Sequence, residues 1–250
     1  MRLTFRGRAT HMAIGERLAR FHGDLPKVKC TQRLHGRLDM VFLSDRDPTA
    51  GQDQVVLRCG FDGRKLTVKA IGNELSADTD RGLHEPSLTR FKGRYYLTLR
   101  HDQRAYVTTS DDGLHFDAAL KPWTWDDGAD LGSYNTQAHW VTHEDGLFLT
   151  YTRRGANNDN MAKARHRAPL FIAQVDPDRL VVLRATEREL VPNKGAQLGN
   201  YAVVDVNERE TWVTTSEGMA PGNPAQFGAN ARVYAARILW DKPNRAWNRH

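Results

Sequence analysis

From residue 27 onward the chain alternates apolar and polar residues with a period of two, in short runs broken by tight turns, and the layout recurs about every 50 residues. The first set holds RLDMVFLS (37–44), QVVLRC (54–59) and KLTVKAI (65–71), the last two joined at Asp62-Gly63. In the second, residues 84–91 and 94–100 flank Lys92-Gly93, and residues 105–109 lead into Asp111-Asp112-Gly113. The third has 137–143 and 147–153 around Asp145-Gly146, then 169–175, Asp176-Pro177-Asp178 and 180–184. The fourth pairs 201–206 with 211–217 across the turn at 207–210 and ends on 232–240. Strict alternation ending in Asp-Gly or Lys-Gly is what half-buried antiparallel strands and their hairpins require. The turn glycines Gly36, Gly93 and Gly146 lie 57 and 53 residues apart. A repeat of that length holding up to four short strands is a propeller blade, so the reading is an all-β propeller. One domain, 1–250, carries blades at about 27–75, 84–123, 135–190 and 199–240. The length suggests five blades in all, with four visible in a truncated or degenerate ring; residues 2–5 are the candidate strand to close it. Ahead of the repeat, residues 9–21 read as a short helix with Met12, Leu18 and Phe21 on one face.

A chain that is 40% hydrophobic and 26% charged can bury a core and stay hydrated outside. No apolar run approaches the ~18–20 residues that span a membrane. The basic N-terminus lacks the unbroken apolar core of a secretory signal, so the chain as it stands reads as cytoplasmic. A net charge of +6 favours an acidic partner. The basic residues are scattered and no nucleic-acid-binding motif is present, which turns the expectation from nucleic acid to an anionic glycan. Cys30 and Cys59 are too few and too far apart for a metal motif or disulfide framework and read as free thiols. His84, His101, His139 and His166 match no compact ligand spacing, so neither metal nor cofactor is expected.

Propeller connectivity places the chemistry. The start of each innermost strand, the end of the second strand, and the loop from second to third strand share one end of the ring. That puts His84, Gln137 and Tyr201 in equivalent places, followed by Arg100, Arg153 and Glu217, with His101, Asp102 and the 157–167 loop beside them. Glu85 next to Pro86 is the sharpest carboxylate and the candidate general acid/base. Tyr201 with Glu217 is a candidate nucleophile pair, since a carboxylate can activate a phenol. Arg100, Arg153, Arg165 and Arg167 are candidates to fork onto a substrate carboxylate, with His84, His101, Asp102, Gln137, His139 and Tyr151 lining the site.

The segment SDDGLHF (110–116) resembles, in shortened form, the Asp-box of sialidase-like (BNR-repeat) propellers. HEPSLTRFKGRYYLTLR (84–100), GSYNTQAHW (132–140), YTRRGANND (151–159) and RAPLF (167–171) are similar to bacterial members of that group. The resemblance spans about residues 80–240 and implies a secreted or periplasmic carbohydrate-active propeller, with the Asp-box turn on the face away from the site. The Glu85-Pro86 pair is similar to the acid/base region of five-bladed glycosidases. The chain departs from true sialidases in having one recognisable Asp-box and no Arg-Ile-Pro-like motif near its N-terminus. A glycoside hydrolase acting on an acidic glycan is the expectation. The alternatives are a polysaccharide lyase using Tyr151, Arg167, His84 and His101, and a non-catalytic glycan-binding propeller.

Overall fold

The computed structural model describes residues 28–34, 37–47, 51–61, 66–77, 81–133, 136–156, 167–219 and 222–246, and these form four antiparallel sheets in chain order. Sheet 1 holds β1 (Val28–Leu34), β2 (Arg37–Asp47), β3 (Gly51–Phe61) and β4 (Leu66–Leu75). Sheet 2 holds β5 (His84–Phe91), β6 (Arg94–Arg100), β7 (Tyr106–Ser110) and β8 (Lys121–Pro122). Sheet 3 holds β9 (His139–His143), β10 (Gly146–Tyr151), β11 (Leu170–Asp176), β12 (Val181–Val182) and β13 (Arg188–Val191). In sheet 4, β14 (Gln197–Leu198) and β15 (Ala202–Asn207) both pair with β16 (Glu210–Gly218), which pairs on with β17 (Val233–Leu239). Leu34 pairs with Arg37 in sheet 1, and two-residue turns close the β5–β6, β9–β10 and β15–β16 hairpins, as the pairs Phe91 with Arg94, His143 with Gly146 and Asn207 with Glu210 record. The β9–β10 turn is therefore Glu144-Asp145, one residue earlier than Asp145-Gly146, and Gly146 opens β10.

Consecutive sheets stack face to face, and alternation along the strands supplies both sides of each core. Between sheets 1 and 2, Val56 and Leu75 meet Leu88, Leu97, Leu99 and Phe116. Between sheets 2 and 3, Val107, Trp123 and Trp125 meet Trp140, Leu149, Phe171 and Val175. The third core joins Leu170 and Val191 to Leu198, Tyr201 and Val213. Each large side chain so enclosed contributes roughly 1.5–3 kcal/mol of burial. The indoles also find partners: Trp140 Nε1 donates to the Ser87 carbonyl at 2.9 Å and Trp123 Nε1 to Thr98 Oγ1 at 2.9 Å. Cys59 is buried in sheet 1.

The innermost strands follow one another, β1 beside β5, β5 beside β9 and β9 beside β15. Side chains bridge β5 and β9 at one constant offset: Ser87 with Trp140, and Thr89 Oγ1 with Thr142 Oγ1 at 2.7 Å, each 53 residues apart. The spacing of the glycines in the sequence is thus the spacing of neighbours in space. Sheets 1 and 2 also meet at the outer strands. Gly72 on β4 lies so close to the 110–116 turn that a Cβ there would sit 2.0 Å from the Leu114 carbonyl oxygen. Asn73 then exchanges hydrogen bonds with the Phe116 backbone in both directions. A fifth blade has no counterpart among the described residues, and the helix expected at 9–21 and the strand at 2–5 lie outside them.

Candidate active site

The starts of β5 and β9 and the residue before β15 converge at one end of the stacked sheets. Gln137 and Tyr201 clasp each other: Gln137 Nε2 donates to the Tyr201 carbonyl at 3.0 Å, and Tyr201 lies edge-on to the His139 ring with centroids 5.1 Å apart. The equivalence of His84, Gln137 and Tyr201 expected from the repeat accordingly appears as neighbouring strand starts. His84 is buried and opposite Arg100 in the β5–β6 ladder, and His101 is buried against Tyr106 with its Nδ1 accepting from the Gln103 amide.

Glu85 is the exception in backbone as well as position. It has φ of +41° and falls where the β5–β6 register slips between His84 and Ser87. A non-glycine residue in that region costs of order 1–3 kcal/mol, and such strain concentrates at working sites. The slip re-aims the side chain, as β-bulges next to active sites do. One carboxylate oxygen accepts from Arg100 Nη1 at 2.6 Å, yet the side chain keeps 30% of its exposure. Its charge is felt by both His139 and Tyr201. Burial is the main influence on His139 and lowers it to about 4, so the imidazole is neutral beside the carboxylate.

Tyr201 and Glu217 do not form the expected nucleophile pair. The Tyr201 hydroxyl donates to backbone carbonyls, Thr150 at 2.6 Å and Gln137 at 3.1 Å, and burial pushes its ionisation far up. A phenol held that way braces β9, β10 and β15. Glu217 instead accepts from the amides of Asn230 (2.8 Å) and Arg232 (2.9 Å) and from the Tyr234 hydroxyl (2.7 Å). Burial alone would raise the Glu217 carboxyl; these donors outweigh it and lower it.

Arg153 occupies the repeat position of Arg100 and is paired within the protein. Its Nε and Nη2 form a fork on Glu187 at 2.7 Å each, while its guanidinium lies over the Trp125 and Phe171 rings. Tyr151 donates to the same Glu187 at 2.8 Å, and burial together with that carboxylate raises its ionisation well above the ordinary range. Arg81 likewise grips both oxygens of Asp102. Arg167, with φ of +50°, reaches Asn200 Oδ1 at 3.2 Å and so stands next to Tyr201; Arg165 lies outside the described residues. Glu187 and Arg81 had no mark in the sequence, because neither falls at a repeat position.

The 110–116 turn sits at the opposite end of sheet 2, after β7. Asp112 Oδ1 accepts from the amides of Leu114 and His115, both at 2.8 Å, and from Ser110 Oγ at 2.9 Å. Burial would raise this carboxyl; the His115 ring and the amides hold it far below its ordinary range. The turn is a structural clasp against sheet 1, removed from Glu85.

No protein-family model and no curated protein sequence matches the chain. Solved structures do. A Dyadobacter fermentans protein of unknown function superposes with a TM-score of 0.56 at 16% identity, over 86% of this chain and 53% of its own. The GH43_1 enzyme of Xanthomonas citri, solved with xylotriose, gives 0.52 at 15% identity over 85% of this chain and 78% of its own. The Trypanosoma rangeli sialidase, in its covalent intermediate with difluorosialic acid, gives 0.51 at 12% over 87% and 34%. The chain thus spans about half the length of the first of these. At such identities the likeness is one of fold: the four stacked sheets are shared with propeller-like structures.

Proposed function

We propose that the protein is a glycoside hydrolase in which Glu85 is the catalytic carboxylate. The observation that carries this is the backbone of Glu85. A strained bulge turns a partly exposed carboxylate into the convergence of the innermost strands, beside a half-buried, neutral His139 and against Arg100. Glycoside hydrolysis ordinarily takes two carboxylates. Asp102, at the same end of sheet 2 and fixed by Arg81, is the second. Their roles divide by partner: Asp102, held ionised with both oxygens in the Arg81 fork, is the anion facing the developing oxocarbenium, and Glu85, part-exposed and bonded through one oxygen, carries the proton. That the X. citri GH43_1 enzyme and the T. rangeli sialidase share the fold supports a glycan as substrate.

An acidic sugar would be met from the side of Arg167, which reaches Asn200 Oδ1 at 3.2 Å. The resemblance to sialidase-like propellers supports an acidic terminal sugar there. The hydrolase reading is favoured over the lyase by Tyr151, whose hydroxyl is committed to Glu187 and so is not placed as a base. A panel of aryl glycosides of sialic acid, glucuronic acid, xylose and arabinose tests the proposal. Release of aryl alcohol by the wild type and its loss in Glu85→Gln support it; equal turnover in both refutes Glu85, and unsaturated uronate from a polymer would select the lyase.

A further inference from the structure

We propose that Phe227 is a stacking platform for a sugar ring of the bound glycan, which rests on the reading of the protein as glycan-active. Among the large exposed hydrophobic side chains of the described residues, the others are aliphatic residues on strand faces, whereas Phe227 is an aromatic ring on a loop and 52% exposed. The loop joins β16 to β17 and therefore lies at the end of sheet 4 that carries Tyr201.

Three features hold the ring in place. Beneath it is Gly195, at φ of +84°, where a Cβ would come within 2.6–2.9 Å of the ring and Cβ of Phe227. Only a bare Cα lets the ring lie down on this strand-entry turn, and Asn193 Oδ1 fixes the turn by accepting from the Gly195 amide at 3.0 Å. Along the loop, buried Pro224 starts a one-turn 3-10 helix, Pro224–Phe227, and Gly228 closes it in the left-handed region. At the far end the buried Glu217 carboxylate staples the amides of Asn230 and Arg232. This explains a buried carboxylate that the chemistry at Glu85 leaves unused: Glu217 positions the loop.

A ring backed by a glycine and open on its other side matches the apolar CH face of a pyranose, which packs on an aromatic as another ring does. Its loop belongs to sheet 4 while Glu85 belongs to sheet 2, which assigns it to a sugar away from the bond being cleaved.

Native gels cast with arabinoxylan or with polygalacturonate test this. Wild type and Phe227→Trp are expected to be retarded in one of the two gels. Phe227→Ala should bind that polymer roughly tenfold more weakly, the loss of about one stacking contact. Retardation of Phe227→Ala equal to wild type overturns the platform and leaves the hydrolase reading standing. Turnover of a glycoside by a wild type that neither gel retards also overturns it. If neither gel retards the wild type and no glycoside is cleaved, the glycan reading itself falls.

Discussion

Arg100 and Arg153 stand 53 residues apart at the same station of successive sheets, and the protein uses them in opposite ways. Arg100 holds a carboxylate that sits on a strained bulge and keeps 30% of its exposure. Arg153, its guanidinium over two aromatic rings, holds one that is 16% exposed and shared with Tyr151. The second arrangement spends both oxygens of Glu187 on protein donors, as a structural clamp should. The first spends one oxygen of Glu85 on Arg100, leaves the side chain part-exposed and stores backbone strain to do so. A repeat fold can therefore fix where an arginine stands, while the carboxylate that answers it decides whether the station is for chemistry or for stability.

Substitutions at the two stations should separate cleanly. Glu85→Gln removes the charge with little change of shape and should lower kcat by roughly 10²–10⁴-fold. Its melting temperature should stay close to that of wild type, because the side chain is part-exposed. Glu187→Gln should do the reverse. It strips the fork from Arg153 and should cost about 2–3 kcal/mol in denaturant unfolding while kcat changes less than fivefold. If Glu187→Gln abolished turnover at unchanged stability, the contrast between the stations would be wrong. Tyr201→Phe probes the bracing between them. Loss of its hydroxyl bonds to Thr150 and Gln137 should cost about 1–2 kcal/mol with kcat largely retained, whereas a nucleophilic tyrosine would lose all activity.

The smallest effect is a pH signature at the same site. His139 is lowered from 6.5 to about 4 in the fold, so the unfolded chain takes up its proton first. Its stabilising contribution is fully present above about pH 6.5 and is lost as pH falls towards about 4. His139→Gln should flatten the dependence of melting temperature on pH across that window, and an unchanged slope would contradict the neutral role of His139.

How much of this the sequence disclosed follows from what a repeat can encode. Period-two runs and hairpin turns gave the four sheets to within a few residues, since burial on one face leaves no freedom of register. The shared end of His84, Gln137 and Tyr201 followed from connectivity alone. Side-chain partners did not. Arg100 with Glu85 is a local pair across one hairpin, but Arg153 reaches Glu187, 34 residues on and beyond β12, where nothing in the periodicity points. The Tyr201–Glu217 pairing failed for a related reason. Both residues were placed at the correct end of sheet 4, yet each found backbone partners nearer than the other. Backbone carbonyls and amides at strand ends compete for such groups, and a one-dimensional reading does not see them.

The claim at the centre of this account is that sugar binds where the innermost strands begin. A crystal structure of Glu85→Gln soaked with the oligosaccharide it fails to cleave measures that directly. The account predicts a sugar ring within hydrogen-bonding distance of residue 85, on the Tyr201 side of the molecule. A sugar bound instead at the Asp112 turn, on the opposite end of sheet 2, would contradict it.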